Sequence, residues 1–240
     1  MKFVVINFSG NVGKTTVALN LLKPRMQDAP IYSIESLNSD GGADGVGVKK
    51  MRGRHYGGLQ EQLMRHDSAI VDVGASNVED FLKLMQQYHG SHEEFDYFVV
   101  PTVKEHKQLA DTVSTIRMLS SIGVPRQKIR IVFNMVETDD TIEEEFAPLF
   151  GLAELEKSFT LSPRAVIYAN EVFDRLKEIG KSLGDVLADE TDYRARLRQT
   201  QDDEEREQCI RMVAIRRLAV TATRNLDDAF RAAFNQQKHG

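Results

Sequence analysis

The chain holds a single cysteine, Cys209, and no tryptophan. A lone thiol excludes an intrachain disulfide framework and any cysteine-cluster metal site, and it fits a reducing cytoplasm. No apolar run approaches the roughly 20 residues that a membrane span needs. The apolar part of the opening stretch, Met1 to Asn7, is too short for a secretory signal. Nor is there an excess of positive charge. The 31 Lys plus Arg face 36 Asp plus Glu, a formal net charge of −5. That balance excludes a globally basic nucleic-acid coat while leaving room for local basic patches. No internal repeat is present. What remains is 240 residues, 41% hydrophobic and 28% charged, enough to bury a sizeable core. One large domain, or a domain with an appendage, is expected, and a cytoplasmic location with it.

Buried strands and helices alternate along the chain. Lys2 to Phe8 carries the unbroken apolar run Phe3-Val4-Val5-Ile6 and reads as a strand. Thr15 to Leu22 has helical spacing and is stopped by Pro24. Further strands are predicted at Ile31 to Ile34, Ala69 to Val73, Phe95 to Val100 and Lys128 to Phe133. Helices are predicted at about Val78 to Tyr88, His106 to Ile122 and Thr141 to Phe150. This order argues for βαβ units, and so for an α/β, doubly wound, mainly parallel sheet. Gly41 to Gly58, with seven glycines and the basic residues Lys49, Lys50, Arg52 and Arg54, reads as a mobile loop.

From about Ala188 the character changes, so residues 1–187 are expected as the main domain and 188–240 as a charged linker with a helical extension. Ala188 to Glu207 carries eight acidic residues and four arginines. Arg206 to Gly240 carries seven basic and three acidic residues, a local +4 that leaves −9 for the rest. Within it Ile215, Leu218, Ala222, Leu226, Ala229 and Ala233 recur at helical steps, the pattern of an amphipathic helix.

The strongest chemical signal is Phe8-Ser9-Gly10-Asn11-Val12-Gly13-Lys14-Thr15-Thr16, between a buried strand and a helix start. Gly10 and Gly13 allow backbone angles that aim successive N–H groups, including those of Asn11 and Val12, at phosphate oxygens. The helix start near Lys14 adds its positive dipole end. Lys14 would reach the β- and γ-phosphates, the Thr15 hydroxyl would hold Mg²⁺, and Thr16 could bond the α-phosphate. Phe8 stands where the standard eight-residue phosphate-loop pattern has its first glycine. Asp72 ends a buried strand, where a carboxylate either orients a water on Mg²⁺ or caps the following turn. Both candidates lie at the carboxyl ends of their strands, where open α/β sheets place ligands.

Ser9 to Thr16 resembles the deviant phosphate loop of the ParA/MinD group of ATPases, whose pattern is K-G-G-x-G-K-T-T. Ala69 to Gly74, Phe95 to Pro101 and Ile129 to Asn134 follow in the order that group shows. Ile6 to Thr16 and Asp72-Val73-Gly74-Ala75-Ser76-Asn77 are most similar to the StbB-like branch of conjugative and mobilisable plasmids. The resemblance covers about residues 1–185. It implies an ATP- and Mg²⁺-dependent switch for plasmid stability, positioning or conjugative transfer, working with plasmid DNA and a DNA-binding adaptor. It also implies a nucleotide-dependent homodimer, and an adenine-reading role for Asn134. Two departures stand out. Ser9 occupies the place of the group's signature lysine, which acts across the dimer, and Ser cannot supply that charge. Leu37 falls where a catalytic aspartate is usual, with Glu35 standing in for the aspartate before it and Asp40 and Asn38 as nearby substitutes. Losing groups that stabilise transition-state charge slows phosphoryl transfer by orders of magnitude, so weak hydrolysis is expected.

Two basic regions have several readings. Lys49 to Tyr56 could track a nucleic-acid backbone, fold over a nucleotide, or lie solvated. The C-terminal arginines, among them Arg216 and Arg217, fit packing of their helix on the domain, contact with DNA phosphates, or a membrane surface, the last disfavoured by modest apolar bulk. Two other function classes share these residues: a nucleotide-binding regulator that barely hydrolyses, and an ATP-dependent ligase for a small carboxylate.

Overall fold

A computed structural model describes residues 1–26, 28–35, 48–51 and 56–234, the backbone alone for 48–51. The strands are β1 (Lys2–Val5), β2 (Ile31–Ile34), β3 (Val48–Met51), β4 (Ala69–Val73), β5 (Tyr97–Thr102), β6 (Ile129–Val136) and β7 (Val166–Tyr168). They form one seven-stranded sheet in the order β3-β2-β4-β1-β5-β6-β7. All the pairings are parallel. The expected doubly wound α/β architecture is therefore what the chain adopts.

Side chains alternate across the sheet, as the period of two in a strand requires. Val4, Val71, Phe98, Ile131 and Phe133 face one apolar cluster. It is roofed by α2 (Tyr56–Met64), α3 (Val78–Gln87), α4 (His106–Ser121), the short α5 (Ile142–Glu145) and α6 (Ala147–Glu156). Phe3, Val5, Ile70, Val99 and Val132 face the other. That side is covered by the helical segment beginning with α1 (Lys14–Thr16), then α7 (Val172–Ile179), α8 (Leu183–Ala188), α9 (Tyr193–Gln199) and α10 (Asp203–Phe234). The segment after α1 widens into a π-turn at Val17–Leu22 and tightens into a 3₁₀ turn at Lys23–Arg25, which contains Pro24.

The sequence expectations need three corrections. Val48–Met51, read as loop, is an edge strand paired with Ile31–Ile34, because backbone pairing rather than composition holds it. Gly57 and Gly58, read as loop, lie in α2, anchored by the buried ring of Tyr56. A Cβ on Gly57 would come 2.8 Å from the hydroxyl at the far end of the exposed Tyr88 side chain. The single helix expected over Thr141 to Phe150 is two, α5 and α6. They break at Phe146, which is fully buried against Phe133 at 4.6 Å between ring centres.

The charged stretch after Ala188 is also built. Asp192 caps α9 by accepting from the N–H groups of Arg194 and Ala195. Asp189, whose carboxyl is held well below the usual range chiefly by the Tyr193 hydroxyl, accepts that hydroxyl at 2.5 Å. The 32-residue α10 buries Cys209, Met212, Ile215, Ala219, Ala222, Leu226, Ala229 and Ala233 in the cluster that holds Phe3, Val5 and Val132. The apolar face of this segment packs on the sheet, one of the readings open for it. No described helix is long and apolar enough to cross a membrane.

Ile215→Ala is expected to cost about 2–5 kcal/mol, the range for a large aliphatic side chain removed from a core. Because α10 shares its core with the sheet, urea unfolding followed by helical and by tyrosine signals should shift together; separate transitions would contradict that shared core. A second expectation concerns alkaline pH. Burial against α3 pushes the Tyr56 phenol up from 10 to about 12, with Ser91 opposing the shift through its hydrogen bond. The folded chain keeps this proton after the unfolded chain has lost it. The contribution is therefore complete below pH 10 and lost as pH rises through about 12. Denaturation of wild type and Tyr56→Phe across that window should show the variant losing less stability.

Candidate nucleotide-binding site

β1 leaves the sheet at Ile6, whose N–H donates to the Val99 carbonyl at 3.0 Å. Asn7, fully buried, then fixes the exit. Its Nδ2 donates to the Pro101 carbonyl at 2.9 Å and to Thr112 Oγ1 at 2.8 Å, while its Oδ1 accepts the Ser9 N–H at 2.8 Å. The Phe8 N–H donates to Thr115 Oγ1 at 3.0 Å. Thr112 and Thr115 lie three residues apart on α4, so one helix face holds two successive residues of the loop stem. Sequence reasoning missed this clamp. The available signal was an asparagine directly after an apolar strand together with a threonine pair at helical spacing.

Beyond the stem the loop turns twice through left-handed backbone, at Asn11 (φ 58°) and Gly13 (φ 79°). Asn11 belongs to the residue types that tolerate this region best, and glycine carries no penalty there. Gly10 and Asn11 are exposed, Val12 is buried, and a Cβ on Gly10 would meet nothing within 4 Å. The Gly13 carbonyl accepts the Val17 N–H at 2.9 Å, which starts the helix under the loop and directs its dipole at the space above.

Lys14 is buried, and its Nζ donates to the carbonyls of Asn7 at 3.1 Å and Ser9 at 2.5 Å. Burial lowers its ammonium below the usual lysine range, with the Asp72 carboxylate partly opposing. Asp72 pairs in register with Val5 on one side and Ser33 on the other, so parallel pairing alone brings it beside the loop. Its Oδ2 accepts the Thr15 hydroxyl at 2.8 Å. Ser33 donates to Glu35 Oε1 at 3.0 Å, and a shallow cavity joins Thr15, Ser33, Glu35 and Asp72. Ala18, Leu19 and Ile31 complete the lining, whose polar part, two hydroxyls and two carboxylates, offers oxygen alone. Such a set suits a hard cation such as Mg²⁺ better than a soft one.

The other candidates are placed as follows. Thr16 is half-buried in the first turn of the helix. Asn134, expected to read adenine, braces the loop. It is buried, its amide donates to the Val12 carbonyl at 3.0 Å, and a Cβ on Gly13 would come 2.1 Å from its Nδ2. Lys49 and Lys50 lie on the edge strand β3, while Asp40, Leu37, Asn38, Arg52 and Arg54 fall outside the described residues. Arg216, an expected DNA contact, is half-buried. It donates to the Thr191 carbonyl at 2.6 Å, stacks 5.3 Å over the Tyr193 ring and lies 4.0 Å from Asp189. Arg217 is exposed on the outer face of α10, as are Arg211 and Arg224.

A left-handed glycine loop between a buried strand and a helix start, a buried lysine behind it, and a Thr–Asp pair on adjoining parallel strands together describe a P-loop nucleoside-triphosphatase fold. Two solved structures share this fold. The MinD cell division protein of Aquifex aeolicus superposes with a TM-score of 0.54 at 12% identity, covering 96% of this chain and 94% of its own. The cell division ATPase MinD of Pyrococcus furiosus does so with a TM-score of 0.50 at 13% identity, covering 89% and 97%. A plasmid partition protein from Borrelia burgdorferi is more distant, with a TM-score of 0.44 at 13% identity over 75% and 94%. At these identities the likeness is one of fold. No protein-family model and no curated protein matches the chain.

Gly13→Ala is the sharpest probe of this geometry. The methyl meets Asn134 and forces a left-handed alanine, which should cost about 1–3 kcal/mol of stability. Adding Asn134→Ala should recover the steric part alone, and thermal melts of the two single variants and the double would show it. A Gly13→Ala protein as stable as wild type would contradict the placement of Asn134.

Proposed function

We propose that the protein is an ATP- and Mg²⁺-binding switch of the ParA/MinD kind. The observation that carries the reading is the Thr15–Asp72 hydrogen bond beside the buried Lys14, at the mouth of a left-handed loop. The loop N–H groups and Lys14 would hold the phosphates, and Thr15 with Asp72 would hold the cation, Glu35 standing near. The bound Mg²⁺ would supply charge neutralisation on the phosphate oxygens. The fold shared with two MinD proteins, one described as a cell division ATPase, supports the same class.

The finer role we propose is plasmid stability, positioning or conjugative transfer, in the cytoplasm, together with a DNA-binding adaptor and with a nucleotide-dependent homodimer. This rests on the sequence motifs. The exposed Arg211, Arg217 and Arg224 on α10, and Lys49 and Lys50 on β3, are the candidate DNA contacts. Hydrolysis is slow in this reading. Ser9 is buried, its N–H is committed to Asn7 and its carbonyl to Lys14, so it offers no cation across a dimer. The same observation favours the second reading, a nucleotide-binding regulator with little turnover.

Titration with a fluorescent ATP analogue and Mg²⁺, alongside turnover with and without plasmid DNA, tests both. Lys14→Ala should weaken nucleotide binding by at least about tenfold, the loss expected for a charge-assisted contact. Unchanged affinity would remove the phosphate-loop assignment. Replacing Arg217 and Arg224 by Ala should flatten the salt dependence of DNA binding by about two units of slope; an unaltered slope would take α10 out of the DNA interface.

A further inference from the structure

Arg130, the second residue of β6, is only 8% exposed, and the Nε of its guanidinium is buried without a hydrogen-bond partner. Its Cζ overlies the Tyr97 ring at 5.4 Å. Burial loosens its proton and Tyr97 opposes the shift; among the described residues no carboxylate joins in. The other withdrawn arginines are compensated. Arg25 pairs with Asp227, and Arg216 lies beside Asp189 and donates to the Thr191 carbonyl. A buried cation is costly unless it is paired, so one recessed against a neutral phenol leaves a place for an anion.

The surroundings are cationic as well. Lys128 lies two residues earlier and so on the same side of the chain. Its Nζ donates to the carbonyls of Glu93 at 3.2 Å and Phe95 at 2.7 Å, which uses two of its three donors. Thr160 bridges to Arg130 and donates to the Arg126 carbonyl at 3.1 Å, bringing the exposed Arg126 and Arg164 to the same end of the sheet. Of the carboxylates on the turn before β5, Glu94 pairs with Lys2, Asp96 with the N-terminal ammonium, and Glu93 is exposed. This is the amino end of the parallel strands, whereas the phosphate loop leaves β1 at its carboxyl end. We propose that Arg130 and Lys128, walled by Tyr97, form a receptor for a phosphate group at the amino end of β6. The guanidinium fork takes two oxygens of the anion and the ammonium a third. Arg126 and Arg164 raise the local concentration of anions. Free phosphate and the phosphodiester of DNA share this chemistry. The Tyr97 ring also meets Phe234 at 5.2 Å, so the anion lies against the anchor of the last turn of α10.

Calorimetric titration of the full chain with inorganic phosphate, at constant ionic strength in chloride, tests the proposal without relying on the nucleotide-binding reading. Lys14→Ala serves as the background, to weaken the phosphate loop. Adding Arg130→Met should lower phosphate affinity by at least about tenfold, and adding Arg130→Lys, which keeps the charge but not the fork, should lower it by less. In chloride alone, Arg130→Met should melt no lower than its background, because it removes an uncompensated buried charge. A lower melting temperature would mark Arg130 as already braced within the fold and would overturn the proposal. So would equal phosphate affinity in all three chains, or a Lys14→Ala chain that binds no phosphate. A DNA duplex added to the phosphate-loaded chain separates the two sources. Displacement of phosphate assigns the receptor to the nucleic-acid backbone, and retention assigns it to the free ion.

Discussion

A single buried amide, that of Asn7, joins three parts of the molecule where β1 runs into the loop. Through Pro101 it holds the end of β5, through Thr112 the inner face of α4, and through the Ser9 N–H the loop itself. Buried polar groups are costly unless satisfied, and here the satisfaction is nearly complete on both ends of the side chain. The directions of the Asn7 and Ser9 carbonyls follow from this clamp, and those carbonyls hold Lys14. The loop is thus a taut turn set by the same contacts that close the sheet onto α4.

Charge is arranged around that turn with a deliberate imbalance. Lys14 is withdrawn from water and loses affinity for its proton, while the Asp72 carboxylate, itself bonded to Thr15, partly opposes this. Two carbonyl dipoles compensate a buried ammonium incompletely. Under the nucleotide-binding reading proposed above, an incoming polyphosphate would complete the compensation, and the cost of burying Lys14 would then favour anions.

Much of this was readable from the residues. The runs Phe3 to Ile6 and Ala69 to Val73 announced central parallel strands because strands covered on both faces are apolar throughout. The glycine–lysine–threonine spacing announced the loop, and the strand-end position of Asp72 put it beside Thr15 through register alone. The remainder depends on partners remote in sequence. Strand β3 hides in a glycine-rich stretch because its stability comes from Ile31–Ile34. Asn134 braces the loop through the Val12 carbonyl, 122 residues earlier. Arg216 packs on the Tyr193 ring of α9 and donates to the Thr191 carbonyl just before that helix, 25 residues earlier in the chain. Local pattern cannot encode such pairings, since each side of the pair is unremarkable alone.

The placement of Cys209 has a practical consequence. It is the only thiol in the chain, and it is buried under the first third of α10, 1% exposed in the core that holds Phe3 and Val132. A thiol reagent can reach it only when that helix lifts from the sheet, so the labelling rate counts excursions of α10 away from its bed. The native protein therefore carries its own clock for the opening of this helix, one that runs in the presence of nucleotide or DNA without any substitution.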